Sequence, residues 1–321
     1  MRFSTIATVF LACIGATGCT SSSGIDGLGL SNETTSSIQR PAAPVAEVAT
    51  PPEPVPTAAV TPEPESDSAP VENALVATER PVAAEAAYAN IVINERRFRD
   101  AKPINFGKAS PKQLAVHGVD ISRWQGDIDW QKLRGQGANF VYIKATDGGD
   151  HLDPMFRQNW KNAEKAGLKR GAYHFFYWCR TAREQADWFI RNVPKVKGAL
   201  PPVIDVEWNH TSSCKKRPSR ENVLEKMQVF MDKLEAHYGQ RPIIYTAPDF
   251  YADNLKGAFK NHPFWLRSVA AHPSKVYPGR DWVFWQYSGS GLSHGVEGRI
   301  DLNVFHGDEN AWRKWLARSA G

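Results

Sequence analysis

From about residue 115 onward, short apolar runs alternate with amphipathic stretches. Runs of about four to eight apolar, β-branched or aromatic residues bounded by turn residues read as strands. They fall at 116–122, 140–146, 170–176, 202–208, 242–246, 264–269, 283–287 and 300–305. Between the first five lie stretches of helical spacing at 128–137, 154–167, 181–193 and 219–239. In the longest, Val223, Met227, Phe230, Met231 and Leu234 recur at three- and four-residue intervals, the stripe of a helix packed on a core. Gly137, Gly167 and Gly239 are placed to close three of these helices as left-handed caps. The alternation predicts an α/β protein. Its form would be a small TIM-like (β/α)-barrel of about five β/α units and then three closely spaced strands, an irregular final third.

Ahead of that region the pattern is different. Residues 1–19 hold one Arg, an apolar stretch and then small residues, the layout of a secretory signal. The stretch ends Ala16-Thr17-Gly18-Cys19, which resembles a bacterial lipobox with Cys19 as the lipidated residue. Acylation there would hold the chain on a membrane surface rather than across it. The expected location is outside the cytoplasm, as an anchored lipoprotein facing the periplasm or cell surface. Residues 20–92 are rich in Pro, Ala and Glu, with ten Pro between Pro41 and Pro81 and Tyr88 the only aromatic. Such a segment buries too little apolar surface to offset its ordering entropy, so it is predicted to be a disordered linker. It reads either as a semi-rigid spacer or as a tether of no set length. The folded domain is placed at 93–321.

Composition sharpens this division. All eleven Trp lie at or after Trp124, and the first Lys is Lys102. Residues 20–92 carry ten acidic residues against two Arg, so a net charge of +5 over 321 residues conceals +12 in residues 93–321. No apolar run reaches about 18 residues, which excludes a multi-span membrane protein. Four Cys are too few for a disulfide-built scaffold. Lys and Arg are scattered and no nucleic-acid motif is present, so the basic surface suits an anionic wall polymer better.

In such a barrel the chemistry gathers at the C-terminal ends of the strands. Asp120 ends the first run, Asp205 and Glu207 end the fourth, and Asp301 lies in the eighth. Residues i and i+2 of a strand share a face, which puts Asp205 and Glu207 about 6–7 Å apart and projecting together. Like charges held together raise a proton affinity, as glycosidic cleavage requires of its acid. Alone, a D-x-E pair is weak and reads equally as metal ligands or a solvated strand end. Three strand-end acidic sites in one barrel favour catalysis. Tyr173, Tyr245, Trp265 and Trp285 stand near strand ends, where aromatic faces suit sugar rings, with barrel core as their other reading.

The run G-V-D-I-S-R-W-Q-G-D-I-D-W at 118–130 opens a series of motifs. It continues with F-V-Y-I-K-A-T-D-G at 140–148, G-A-Y-H-F at 171–175, D-V-E at 205–207, P-I-I-Y-T at 242–246, W-Q-Y at 285–287 and D-L-N-V-F at 301–305. In this order the chain resembles a glycoside hydrolase family 25 lysozyme, the Chalaropsis-type muramidases. The resemblance implies hydrolysis of the β-1,4 bond from N-acetylmuramic acid to N-acetylglucosamine in peptidoglycan, with no metal or cofactor. It implies Glu207 as general acid and Asp205 as the group assisting at the sugar C1. Asp120 and Asp301 would complete the acidic cluster, and Tyr173, Tyr245, Trp285 and Gln286 would line the cleft. The family often has W-x-A after its sixth strand where this chain has Trp265-Leu266-Arg267, and the loop after the fourth strand carries an insert.

Two further cysteines, Cys179 and Cys214, lie just after the third and fourth strands. Adjacent strands bring those loops together, so an oxidising compartment predicts a Cys179–Cys214 disulfide pinning the basic insert to the cleft rim. The expected partner is the glycan strand, and the expected state is a monomer. Two other readings stay open: a wall-binding lipoprotein on the same barrel that does not cut, and a hydrolase for another N-acetylated glycan such as chitin.

Overall fold

The computed structural model describes residues 87–209 and 214–319. The expected leader, the expected lipidation at Cys19 and the 20–92 segment as far as residue 86 lie outside the described residues. Among those described, no helix is long and apolar enough to cross a membrane.

Eight strands close into a barrel. They are β1 (His117–Ile121), β2 (Phe140–Asp147), β3 (Lys169–Phe175), β4 (Val203–Val206), β5 (Ile243–Thr246), β6 (Phe264–Arg267), β7 (Phe284–Leu292) and β8 (Ile300–Phe305). β1 to β7 run parallel in chain order. β8 runs the other way and closes the ring between β7 and β1. Four helices cover the outside: α1 (Trp130–Gly135), α2 (Phe156–Lys165), α3 (Ala182–Asn192) and α4 (Arg220–Tyr238). The regular β/α part and the irregular end match the predicted class. The reversal of β8 is not legible in the spacing of the strands.

Alternation within the strands builds two cores. Outward side chains such as Val119, Ile143, Ile204 and Leu266 pack under the helices with Phe230, Met231 and Leu234 of α4. Inward side chains, among them Phe140, Tyr142, Tyr173, Tyr245, Trp265 and Phe284, fill the barrel. The filling needs gaps: a Cβ on Gly171 would lie 2.2 Å from the Tyr142 ring, and one on Gly118 would lie 2.5 Å from the Phe140 carbonyl. Side-chain caps start the outer helices. The hydroxyl of Ser219 accepts from Asn222 N ahead of α4, and that of Thr181 from Glu184 N ahead of α3. Gly239 ends α4 in the left-handed region at φ 72°.

The end of the barrel opposite the strand C-termini is plugged. A last helix, α5 (Glu309–Ser319), sets Trp312 against Phe140 and Phe305, with ring centroids 5.6 and 5.0 Å apart. The folded body begins ahead of the predicted boundary at 93: Tyr88 is buried in the same interior cluster. The arm that follows pairs Arg99 and Asp100 with the end of β7. Its alternation is too short to have been read as a strand.

Candidate active site

β1 delivers Asp120, and β8 delivers Asp301. The reversal of β8 places its first residues at the mouth where the other strands end. Asp301 and Asp120 are register partners across that antiparallel pair. Side chains directly opposite each other in such a pair share a face and stand about 5 Å apart at Cβ. β4 delivers Asp205, with Glu207 just past its end. Asp120, Asp205, Glu207 and Asp301 are all buried. Around the hydroxyl of Tyr173 the charges of Asp120, Asp205, Asp153 and Asp301 converge; burial first, and then those charges, hold its proton well above the usual range, and the charge of Glu207 reaches both Asp120 and Tyr245. Thus the four predicted carboxylates do meet at one end of the barrel.

Two hydrogen-bonded arms fix Asp120. Gln286 Nε2 donates to its Oδ2 at 3.0 Å and Asn303 Nδ2 donates to the same oxygen at 2.7 Å. Each amide oxygen is held in turn: Tyr245 Oη donates to Gln286 Oε1 at 2.9 Å, and Trp265 Nε1 donates to Asn303 Oδ1 at 2.8 Å. The aromatic donors set the amide orientations, and the amides set the carboxylate. Burial raises Asp120 to about 6; the amides work against that rise and the charge of Glu207 adds to it. Because Asp120 shares the cluster with Glu207 and the other carboxylates, the proton lost near this pH belongs to the group rather than to one residue.

This has a sign for activity and for stability. A site that needs a proton to deliver loses activity as pH climbs through about 6, so kcat/KM on peptidoglycan is expected to fall on that limb. A profile flat from about pH 5 to about pH 7 would contradict it. For folding, the raised carboxylate contributes fully below its unfolded value, and the contribution is lost as pH rises through about 6.

Other predicted residues separate. Tyr173, Tyr245 and Gln286 point into the barrel beside the acids. Trp265 also points inward but lies beneath them, its ring 5.0 Å from Tyr142 and 4.7 Å from Tyr245. Its Nε1 is taken up by Asn303 Oδ1, so it supports the amide that holds Asp120. Trp285 is a clearer correction. It is fully buried in the outer layer, against Phe106 at 4.9 Å, with Nε1 donating to Ser268 O at 2.8 Å. Since Gln286 faces in, its neighbours Trp285 and Tyr287 must face out. His174 is structural. Its ring bonds Thr146 and Gln185 and stacks on Phe230 at 5.0 Å, and burial lowers it to about 4.

Three residues join the site without having been singled out for it. Asn303 is two positions from Asp301 in D-L-N, so it shares its face. Arg267, two residues past Trp265, turns its guanidinium toward the acids. Burial opposes its charge, but Tyr245, Glu207 and Asp301 favour it, and the net effect is tighter proton binding than usual. Asp153 accepts from Arg123 N and Met155 N, both at 2.9 Å, and ties the loop after β1 to the loop after β2.

The Cys179–Cys214 disulfide joins the loops after β3 and β4, with Cα atoms 5.9 Å apart. Next to it, Trp178 Nε1 donates to the Glu207 carbonyl at 3.1 Å, steadying the backbone that carries that carboxylate. Among the described residues no group of three or more His, Cys, Asp or Glu side chains could hold a metal ion. The arrangement that is present suits proton transfer and stabilisation of positive charge.

Comparison with known proteins points the same way. The model of the family described as "Glycosyl hydrolases family 25" matches residues 119–296. The Escherichia coli (strain K12) protein YegX is 38 % identical over 219 residues, covering 65 % of this chain and 77 % of that one. Lysozyme M1 of Streptomyces globisporus is 34 % identical over 200 residues, covering 60 % of this chain and 68 % of that one. A solved family 25 glycosyl hydrolase from Bacillus anthracis superposes with a TM-score of 0.60 at 39 % identity, covering 67 % of this chain and 98 % of that one.

Proposed function

The chain belongs to glycosyl hydrolase family 25, and from that membership and its cluster of carboxylates we propose that it is a lysozyme. It hydrolyses the β-1,4 bond between N-acetylmuramic acid and N-acetylglucosamine in peptidoglycan. The observation that carries this is the convergence of Glu207, Asp205 and Asp120 on the buried Tyr245 hydroxyl, with Asp301 opposite Asp120 across the β1–β8 pair.

The roles are those that the resemblance to the family gives to these positions. Glu207, last in the D-V-E run, gives its proton to the leaving glycosidic oxygen. Asp205, one strand position deeper on the same face, stabilises the positive charge that develops at C1. Asp120, held by Gln286 and Asn303, keeps a proton in the cluster near pH 6 and, with Asp301, grips the saccharide. Tyr173, Tyr245 and Gln286 line the cleft. Arg267 keeps the net charge of the mouth from becoming too negative for a polymer that itself carries carboxylates.

The charged region must meet its polymer outside the cytoplasm. The run Ala16-Thr17-Gly18-Cys19 supports a lipid anchor at Cys19, with the segment to residue 92 as tether. Labelled palmitate is expected to enter the wild-type chain and not Cys19→Ala; equal labelling would remove the anchor from the proposal. The substrate is tested by offering purified peptidoglycan and chitin in parallel. Rapid release of soluble fragments from peptidoglycan alone is the expected result, and preference for chitin would redirect the assignment to another N-acetylated glycan.

A further inference from the structure

A cavity of about 300 Å³ opens between the loops after β3 and β4, next to the Glu207 backbone. Its walls include Trp178, Trp208 and Asn209, and its rim carries Lys215, Lys216 and Arg217. We propose that this groove binds the carboxylate-bearing peptide stem of the peptidoglycan strand. The proposal deepens the lysozyme assignment and rests on it.

Position is the first reason. Trp178 donates to the Glu207 backbone carbonyl, and Trp208, the next residue in the chain, packs with it in the outer layer, so the groove lies across the Glu207 backbone from the acid side chains. A strand laid across Glu207 for cutting has a muramic acid at the scissile bond. That sugar bears its peptide as an amide on the carboxyl group of its lactyl ether, and the peptide carries free carboxylates. The stem must therefore leave the cleft close to this rim.

Charge is the second. All three rim cations are exposed. No acidic residue lies among the described residues lining the groove. Behind it, Lys226 of α4 donates from Nζ to the carbonyls of Trp178 at 3.0 Å and Arg180 at 2.8 Å. Burial, and then the nearby charge of Lys216, lower its proton affinity against the opposing charge of Glu184, so Lys216 and Lys226 repel one another. An anion in the groove relieves that repulsion, and guanidinium and ammonium groups suit carboxylates.

Rigidity is the third. The Cys179–Cys214 bond ties the basic loop down. The Arg217 guanidinium lies 4.8 Å over the Trp208 ring, and Trp208 Nε1 donates to Asp253 Oδ2 at 2.7 Å. Trp178 stacks on Phe250 at 5.0 Å. A site already ordered loses less entropy when a ligand arrives.

The test compares intact peptidoglycan with the same glycan after an amidase has removed its stems. The full-length wild-type chain is expected to favour the stem-bearing polymer. In the Lys216→Ala/Arg217→Ala variant that preference, as the ratio of the two kcat/KM values, is expected to fall about tenfold, with the loss in KM. A preference that survives, or an equal loss on both polymers, overturns the proposal. Binding carries the test apart from turnover. A synthetic muramoyl tripeptide, titrated by calorimetry, is expected to bind wild type and to bind the variant at least about tenfold more weakly. Equal binding to both, or binding of a glycerol phosphate polymer in place of the tripeptide, also overturns it. If wild type cleaves neither polymer yet binds the tripeptide through these cations, the lysozyme assignment fails while the groove stands.

Discussion

Glu207→Gln is expected to lower kcat/KM on peptidoglycan by about 10³-fold, the middle of the range for losing a general acid. The change removes one proton and keeps nearly the same shape. An alkoxide leaving from the glycosidic bond is a poor leaving group, so departure without that proton is slow. The side chain is buried and its backbone is held by Trp178, so a glutamine can occupy the same place. Affinity for the wall is expected to stay within about threefold of wild type, because the groups proposed to line the cleft are untouched. A second readout comes from Asp120. Loss of the Glu207 charge removes one of the contributions that raise it, so it is expected to titrate below its value of about 6. Carboxyl NMR across that range reports the shift. A variant retaining more than about a tenth of wild-type activity would mean that Glu207 is not the proton donor.

Asp205→Asn is expected to cost about 10²-fold in kcat/KM, at the lower end of what removing a preorganised electrostatic group costs. Asp205 is almost wholly buried, its carbonyl receives Phe176 N at 3.0 Å, and Tyr245 is its register partner on β5. The carboxylate is therefore fixed where charge would develop, and an asparagine keeps the shape while losing the charge. The loss belongs in kcat, since that charge appears only as the bond breaks. The two variants differ in their pH profiles. Both should keep a fall in rate from Asp120, but in Glu207→Gln that limb should move below pH 6, because a charge that raises Asp120 is gone. An unchanged kcat in Asp205→Asn would place the charge stabilisation elsewhere in the cluster.

Much of this was legible in the residues because the barrel strands are short apolar runs and the acids close them. The i, i+2 rule put Asp205 and Glu207 together before any coordinates. What failed did so for physical reasons. W-Q-Y looks like three ligand-facing residues, but alternation allows one side only, and Gln286 takes the inside. The same rule applied to D-L-N would have found Asn303 beside Asp301. Trp265 faces inward yet lies below the acids, because depth in a barrel depends on register between strands, which no single strand encodes. Reversal of β8 was hidden for the same cause: its spacing from β7 fits a parallel or an antiparallel return. Arg267 was visible only as a departure from W-x-A. Its meaning needed the neighbours that folding supplies, Tyr245, Glu207 and Asp301.

The most direct test of the central claim is digestion of purified peptidoglycan by the full-length chain and by Glu207→Gln. Products are reduced with borohydride and identified by mass spectrometry. The expected result is abundant fragments ending in reduced muramic acid from wild type and almost none from the variant. Both proteins folded and sedimenting with the wall, with no new ends from either, would contradict it and leave a barrel that holds glycan without cutting it.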